Sequence, residues 1–258
     1  MPHGTGAILD TRSLATDHRR LAALIRPGIS VLDVGCGTGA ITRGIAESQG
    51  SHVVRVVGVD VNAGFIDEAR RRHAHVPGLA FEVADAYALP WPAAFDIVTA
   101  ARVLQWLARP ADAVRAMAAA VKPGGRVVVL DYTHGKIAWE PEPPETMRRF
   151  YAAFLAWRAD AGMDNAIADH LPALFASAGL ESVAISEQHE STRRGDAHFA
   201  VRAGIWADVA ATRGHQMVAD GAIDETTRAR AEREYRDWVA DVAVAQTMYL
   251  LAVDGIRA

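Results

Sequence analysis

The chain has 258 residues, half of them hydrophobic, which is enough for one well-buried domain with additional segments. Its 27 basic and 31 acidic residues give a net charge of −4, which argues against a protein that binds nucleic acid through the phosphate backbone. The single cysteine, Cys36, excludes an internal disulfide and is typical of a protein in a reducing compartment.

The same sequence shows no pattern for a membrane span, a signal peptide or a metal site. Charged residues interrupt every apolar run well before about 18 residues, which is the length that a transmembrane helix needs. Residues 1–17 lack a basic stretch followed by an apolar one, so we expect a cytoplasmic protein. The ten histidines show no spacing typical of a metal site, and we expect no metal.

The first half of the chain alternates short apolar runs with helical patterns, which indicates a parallel sheet. The runs are nearly continuous in hydrophobic residues, as expected for strands covered on both faces. The predicted strands are Val31–Gly35, Val53–Asp60, Leu79–Ala84, Phe95–Ala100 and Arg126–Tyr132. Asn62 is placed to cap one intervening helix, and Pro110 to begin another that ends before Lys122-Pro123-Gly124-Gly125.

The second half has fewer strand patterns and more aromatic residues. Strands are predicted over Ser182–Gln188 and Ala245–Val253, and a long helix over Asp224–Val242. Because no linker separates two cores, we expect a single domain. Its core would comprise about 27–132 with strands near 182–188 and 245–253, and its helical cap two insertions, about 133–178 and 190–243.

A glycine-rich segment after the first predicted strand is the strongest local pattern, and it reads Val31-Leu32-Asp33-Val34-Gly35-Cys36-Gly37-Thr38-Gly39-Ala40. Glycines allow a sharp turn and close approach of a ligand, while the following helix offers unpaired N–H groups. Gly35-x-Gly37-x-x-Ala40 also fits the dinucleotide fingerprint, so an NAD-linked oxidoreductase stays open at this point. A carboxylate at Asp33, however, suits a cationic ligand better than a pyrophosphate.

Three carboxylates lie at or near the ends of three successive predicted strands, namely Asp33, Asp60 and Asp85. Open α/β sheets bind ligands at the carboxyl ends of their strands, so these side chains should face one crevice. Asp60, at the end of the second strand, is placed to accept hydrogen bonds from both hydroxyls of a ribose.

Together with Phe95-Asp96-Ile97-Val98 and Lys122-Pro123-Gly124-Gly125, this pattern resembles the class I S-adenosylmethionine-dependent methyltransferases. Within them it is similar to the small-molecule enzymes of quinone biosynthesis, the UbiE-like group, over roughly the first half of the chain. The resemblance implies an α/β fold with a Rossmann-like, doubly wound sheet of seven strands, mostly parallel with an antiparallel C-terminal strand. It also implies S-adenosylmethionine as the cofactor, and in-line transfer of its methyl group to a small organic acceptor.

The resemblance further implies the roles of the cofactor-binding residues. Asp33 would lie near the methionine amino group, with Ala101 and Arg102 lining the methionyl end. Asp60 would bind the ribose hydroxyls, and Asp85 would accept from the adenine amino group. The other implied contacts are the loop residues Gly35, Cys36, Gly37 and Gly39, and Val61 and Ala86 beside the adenine.

The acceptor side is predicted from position and residue type, because no motif marks it. Predicted to line the pocket are Trp106, Tyr132, Trp139, Trp157 and Arg158. His134 is the first candidate for a general base because it lies just past a strand end. His170 is the second, because it precedes Leu171-Pro172 at a predicted helix start. A surface or capping histidine is the commoner role for either residue.

Two alternatives to a methyltransferase remain, an NAD-linked oxidoreductase and a non-catalytic S-adenosylmethionine-binding protein. Tyr132-x-x-x-Lys136 matches the residue pair of short-chain dehydrogenases, but that pair needs a helix, which Gly135 interrupts. The expected partner is a small-molecule methyl acceptor, with no nucleic acid and no membrane, and with a monomer and a homodimer both open.

Overall fold

The computed structural model describes residues 12–52 and 54–258. Its strands are β1 (Ser30–Val34), β2 (Arg55–Asp60), β3 (Leu79–Val83), β4 (Phe95–Ala101), β5 (Val121–Tyr132), β6 (Ala138–Glu140), β7 (Leu180–Glu187), β8 (Glu190–Arg193), β9 (Ala245–Met248) and β10 (Leu250–Arg257). Its helices are α1 (Leu14–Asp17), α2 (Arg19–Leu24), α3 (Ala40–Ser48), α4 (Ala63–His73), α5 (Pro110–Ala120), α6 (Glu145–Asp160), α7 (Ile167–Ser177), α8 (Phe199–Ala203), α9 (Ile205–Ala219) and α10 (Glu225–Asp241). None of these described helices is both long enough and apolar enough to cross a bilayer.

The described chain divides into two compact units. The sheet unit comprises residues 12–132 without Val53, together with 167–188 and 250–258. The helical unit comprises residues 133–166 and 189–249.

The sheet unit is built on seven strands in the order β3-β2-β1-β4-β5-β10-β7. Strands β1 to β5 pair in parallel, and β10 runs antiparallel to both β5 and β7. The order reverses at β1, between β2 and β4, which is where open α/β sheets bind ligands. The fold class predicted from the sequence is therefore confirmed.

Buried aliphatic side chains explain why these segments form the centre of the sheet. All five residues of β1 are buried, as expected for a strand covered on both faces. On one face, Leu21 and Ile45 of the flanking helices pack with Val31 and Val56 of the strands in one apolar cluster. Burying side chains of this size stabilises the fold by about 1.5–3 kcal/mol each.

Two strand predictions differ from the structure. β5 begins at Val121 rather than at Arg126, because the Lys122–Gly125 segment forms an irregularity in the pairing of β4 with β5. The predicted strand 245–253 is two strands, since β9 ends at Met248 and pairs with β6 and β8, while β10 joins the large sheet. A continuous apolar run does not show such a change of partner. Val53, the predicted start of the second strand, lies outside the described residues.

The predicted domain boundaries also differ from the structure. We expected the insertion at 133–178 to include the segment that forms α7, but this helix packs on β5, β7 and β10 of the sheet unit. It buries Leu171 and Phe175. The single domain expected from the sequence stays a prediction, and residues 167–178 belong to the sheet unit rather than to the expected insertion.

The helical unit contains a small antiparallel sheet in the order β6-β9-β8 and the helices α6, α8, α9 and α10. Helices α6, α9 and α10 pack on one another. Their shared core includes Phe150, Phe154, Trp206 and Tyr235, all buried.

Candidate functional site

The glycine loop that follows β1 is held against β2 by backbone hydrogen bonds. The N–H groups of Gly35 and Cys36 donate to the Val59 carbonyl at 2.7 and 2.9 Å. Gly35 has a φ of +72°, and a Cβ there would lie 2.4 Å from Val103 Cγ2. Only glycine fits this position, because both the backbone conformation and the close approach exclude a side chain. The loop then enters α3 through Gly39, whose φ is +84°.

Asp60 connects the glycine loop to the helix after β2. Its Oδ2 accepts from the Gly37 N–H at 3.0 Å, and its Oδ1 accepts from the Asn62 N–H at 2.9 Å. Asn62 caps α4 through bonds from the N–H groups of Gly64 and Phe65, as predicted. A carboxylate offers about four acceptor sites, so these two bonds leave it capacity for further donors such as hydroxyls.

Asp33 is a buried carboxyl in the middle of the sheet unit. The Thr42 hydroxyl donates to its Oδ2 at 2.7 Å, and the described residues form no ion pair with it. Burial raises the pKa of Asp33 to about 7, against the Thr42 hydrogen bond, which lowers it, and with the charge of Asp60, which raises it further. A cation near Asp33 would stabilise the ionised form, so this position suits a positively charged ligand group.

Cys36 lies within the glycine loop but is not a nucleophile. Burial raises the pKa of its thiol, and the charges of Asp33 and Asp60 raise it further. Because the reactive species is the thiolate, a thiol in these surroundings is inert at neutral pH. Cys36 therefore belongs to the loop as a small packed residue.

The predicted adenine-side residues lie at the ends of β2 and β3. Asp85 is exposed, and its Oδ1 accepts from the Tyr87 N–H at 2.9 Å. Val61 directly follows β2 and is 74% exposed, while Ala86 is half-buried. An apolar side chain this exposed beside the Asp60 carboxylate is compatible with the predicted contact to a base.

Arg102, predicted to line the methionyl end, forms two side-chain contacts within the sheet unit. It follows Ala101, the last residue of β4, in a left-handed conformation with a φ of +61°, and it is buried. Its side chain donates from Nε to the Tyr132 hydroxyl at 3.0 Å and from Nη2 to the Asp17 carbonyl at 3.1 Å. These two bonds connect the guanidinium to α1 and to the end of β5.

A buried carboxylate that sequence reasoning missed organises the segment after β4. Asp131 is fully buried and accepts from the Gln105 N–H at 3.1 Å and from the Tyr132 N–H at 2.9 Å. It thereby holds the short helix Leu104–Trp106, which carries the half-buried Trp106, next to the end of β5. The available signal was a charged residue at the end of the apolar run 127–130.

The surroundings of His134 do not favour the predicted role as a general base. It is buried in the helical unit, with its ring centroid 6.1 Å from those of both Phe154 and Trp206. Burial lowers its pKa to about 3, and the positive charge of Arg158 lowers it further. An imidazole with this pKa is a weak proton acceptor at neutral pH, so His134 is a core residue.

The other predicted pocket residues of the helical unit join its elements. Trp139 Nε1 lies 3.0 Å from the Tyr235 hydroxyl, to which it donates. Trp157 Nε1 donates to Asp220 at 2.8 Å. The buried Arg158 donates from Nε to Asn165 Oδ1 at 2.8 Å.

His170 is exposed on α7 in the sheet unit, whereas His134 lies in the helical unit. The helix begins at Ile167, so His170 lies inside it rather than at its start, and Pro172 is accommodated within the helix. The sequence placed the start too late because proline is common at the first helical position.

Comparison with known proteins identifies the segment that carries this site. A family described as a methyltransferase domain matches residues 32–129. A UbiE ubiquinone/menaquinone biosynthesis C-methyltransferase of Ectopseudomonas mendocina is 40% identical over 113 residues, which cover 42% of this chain and 44% of that protein. A 2-phytyl-1,4-naphthoquinone methyltransferase of Thermosynechococcus vestitus is 37% identical over 108 residues, 42% of this chain and 48% of that protein.

A solved structure agrees with the fold over most of the chain. YcgJ of Bacillus subtilis superposes with a TM-score of 0.59 at 17% identity, covering 93% of this chain and 99% of that one. The chain aligns with less than half of the length of the curated relatives it matches. Residues 32–129 thus resemble a methyltransferase domain, and within that segment the chain is similar to methyltransferases of quinone biosynthesis.

Proposed function

We propose that this chain transfers a methyl group from S-adenosylmethionine to a small organic acceptor, releasing S-adenosylhomocysteine. The observation that carries the proposal is the buried Asp33 carboxyl beside a glycine loop. None of the described residues forms an ion pair with it, and burial raises its pKa to about 7, so a cation beside it would stabilise the ionised form. A dinucleotide would place a pyrophosphate near this loop, and a buried carboxylate would repel it.

The residues present fit the chemistry of this cofactor. Asp33 is suited to the ammonium of its methionyl part, because a buried unneutralised carboxylate gains most from a cation. Asp60 is suited to the ribose hydroxyls, because its oxygens keep acceptor sites beyond the Gly37 and Asn62 bonds. Val61 and Asp85, at the ends of neighbouring strands, are suited to the adenine.

Methyl transfer requires the protein to align the nucleophile, the methyl group and sulfur more than to supply acid–base catalysis. A sulfonium methyl, when bound, carries its own driving force for displacement by a nucleophile in line with sulfur. The glycine loop, Asp33 and Asp60 would hold the methyl donor in place, and the ends of the strands would exclude water from it. The surroundings of Cys36 and His134 do not favour either residue as a nucleophile or base, because burial raises the pKa of the Cys36 thiol and lowers the pKa of His134.

We further propose that the acceptor is an aromatic or quinone-type small molecule. Two relatives that each match 42% of this chain carry quinones in their names, which supports this class. The aromatic residues Trp106 and Tyr132, close to the ends of β4 and β5, are suited to such a ring.

The experiment is calorimetric titration of the chain with S-adenosylhomocysteine and, separately, with NAD. We expect S-adenosylhomocysteine to bind and NAD to give no heat of binding. The chain is then incubated with methyl-labelled S-adenosylmethionine and fractionated cell extract, and the labelled product is identified by mass spectrometry. Binding of NAD alone would contradict the proposal, whereas binding of S-adenosylhomocysteine without any labelled product would leave a cofactor-binding protein that does not transfer methyl groups.

A further inference from the structure

Residues 13–24, the N-terminal strap, cross one face of the seven-stranded sheet. His18 Nε2 lies 3.2 Å from the Thr99 hydroxyl on β4, and Arg20 Nε donates to Asp254 on β10 at 2.6 Å. Thr99 and Asp254 lie in one row of the sheet, because each is a register partner of Val128 on β5. The strap is therefore anchored at two strands by polar contacts.

The same row includes Asp33, the proposed contact of the cofactor ammonium. Asp33 on β1 is the register partner of Thr99, so the two side chains point to the same face of adjacent strands, about 5 Å apart along the row. The strap also reaches the helix that follows the glycine loop, since a Cβ on Gly44 would lie 3.0 Å from Leu14 Cβ. The turn at His18 thus lies next to Asp33, the part of the proposed site that would bind the cofactor ammonium.

Arg102 joins this strap to the carboxyl ends of β4 and β5. Its side chain donates from Nη2 to the Asp17 carbonyl of the strap and from Nε to the Tyr132 hydroxyl. Its backbone N–H donates to the Leu130 carbonyl at 2.7 Å. The next residue, Val103, is the one that Gly35 packs against. The guanidinium of Arg102 therefore connects the strap to the end of β5, and the next residue, Val103, contacts the glycine loop.

We propose that Arg102 is a positioning residue, which fixes the strap turn and the Tyr132 hydroxyl so that the donor end of the cofactor site is formed around Asp33. The proposal rests on the proposed function, since it concerns the same site. A bidentate arrangement of this kind needs the planar fork of arginine, and lysine reproduces only one of its two contacts. If strap order favours cofactor binding, then cofactor binding must favour strap order by the same factor.

The test compares variants of the full 258-residue chain by calorimetry with S-adenosylhomocysteine and by hydrogen–deuterium exchange. For Arg102→Gln we expect affinity to fall about tenfold and the amides of residues 13–24 to exchange faster in the absence of ligand. Saturating S-adenosylhomocysteine should reverse most of that increase. Arg102→Lys should be intermediate, and the control Arg115→Gln, an exposed arginine on α5, should match the wild type.

The outcomes separate this proposal from the proposed function. Arg102→Gln affinity within twofold of wild type, or exchange that rises evenly over the whole chain, would overturn the positioning role. If Arg102→Gln fails to fold, the wild type decides, because S-adenosylhomocysteine must then slow exchange in the strap, and unchanged strap exchange overturns the proposal. A wild type that binds no S-adenosylhomocysteine overturns the proposed function and this inference with it.

Discussion

Two buried carboxylates in the same row of the same sheet have opposite surroundings. Asp254 is fully buried and is paired with Arg20 and with Arg126. Asp33, three strands away, has one hydroxyl donor from Thr42 and no ion pair among the described residues. Because an unpaired buried charge is more costly than a paired one, the first carboxylate is suited to a structural role and the second to an external cation.

The largest expected effect is on stability, through Asp254→Asn. The substitution leaves two arginine side chains, each about a quarter exposed, without their shared carboxylate. Removing one partner of a buried pair typically costs about 3–5 kcal/mol, so we expect a loss of this order in urea unfolding. Affinity for S-adenosylhomocysteine, measured under conditions where the variant is folded, should stay within about threefold of the wild type. An Asp254→Asn variant that is as stable as the wild type but binds S-adenosylhomocysteine poorly would contradict the structural role of Asp254.

Asp33→Asn should show the opposite pattern. Losing a charge-assisted contact to an ammonium costs about 1.5–3 kcal/mol, so affinity for S-adenosylhomocysteine should fall roughly 10- to 100-fold. The pKa of Asp33 is raised in the folded protein, so its contribution to stability falls as pH rises from about 4 to about 7. Asparagine does not ionise, so the variant avoids this loss of stability. At pH 8 its free energy of unfolding should be at least that of the wild type. Unfolding curves and calorimetry on the same preparation provide both values.

A smaller effect is expected from Thr42→Val, which removes the hydroxyl bond to Asp33 while keeping the shape of the side chain. That bond holds the pKa of Asp33 down, so without it the carboxyl ionises at higher pH. We expect affinity for S-adenosylhomocysteine at pH 7 to fall about two- to fivefold and to recover at higher pH. Thr42→Ser keeps the hydroxyl and serves as the control, and a Thr42→Val affinity that does not depend on pH would contradict the explanation.

The sequence predicted the sheet unit well because its signals are local. Each of these signals depends on a few adjacent residues: the glycine loop, the strand-end carboxylates and the Asn62 cap. The predicted fold of the sheet and the Asn62 cap are confirmed. The division of 245–253 between two sheets was not predictable, because an apolar run shows that residues are buried but not what they pair with.

The same limit applies to side-chain environment. His134 looked accessible because it follows a strand, yet Phe154 and Trp206, distant in sequence, enclose it. The contrast between Asp33 and Asp254 likewise depends on which arginines reach them through the fold, and Arg20 is 234 positions from Asp254. Sequence alone shows a carboxylate in an apolar run and not whether a cation neutralises it.

The central claim is that the negative charge at Asp33 is reserved for the cofactor ammonium. Calorimetry of S-adenosylhomocysteine binding in two buffers of different ionisation enthalpy measures the protons released on binding. With a pKa of about 7, Asp33 is about nine-tenths protonated at pH 6. Wild-type protein should therefore release close to one proton at pH 6 and almost none at pH 8.5, with affinity about tenfold weaker at the lower pH. Asp33→Asn should release none at either pH, whereas binding to the wild type at pH 6 without proton release would contradict the account.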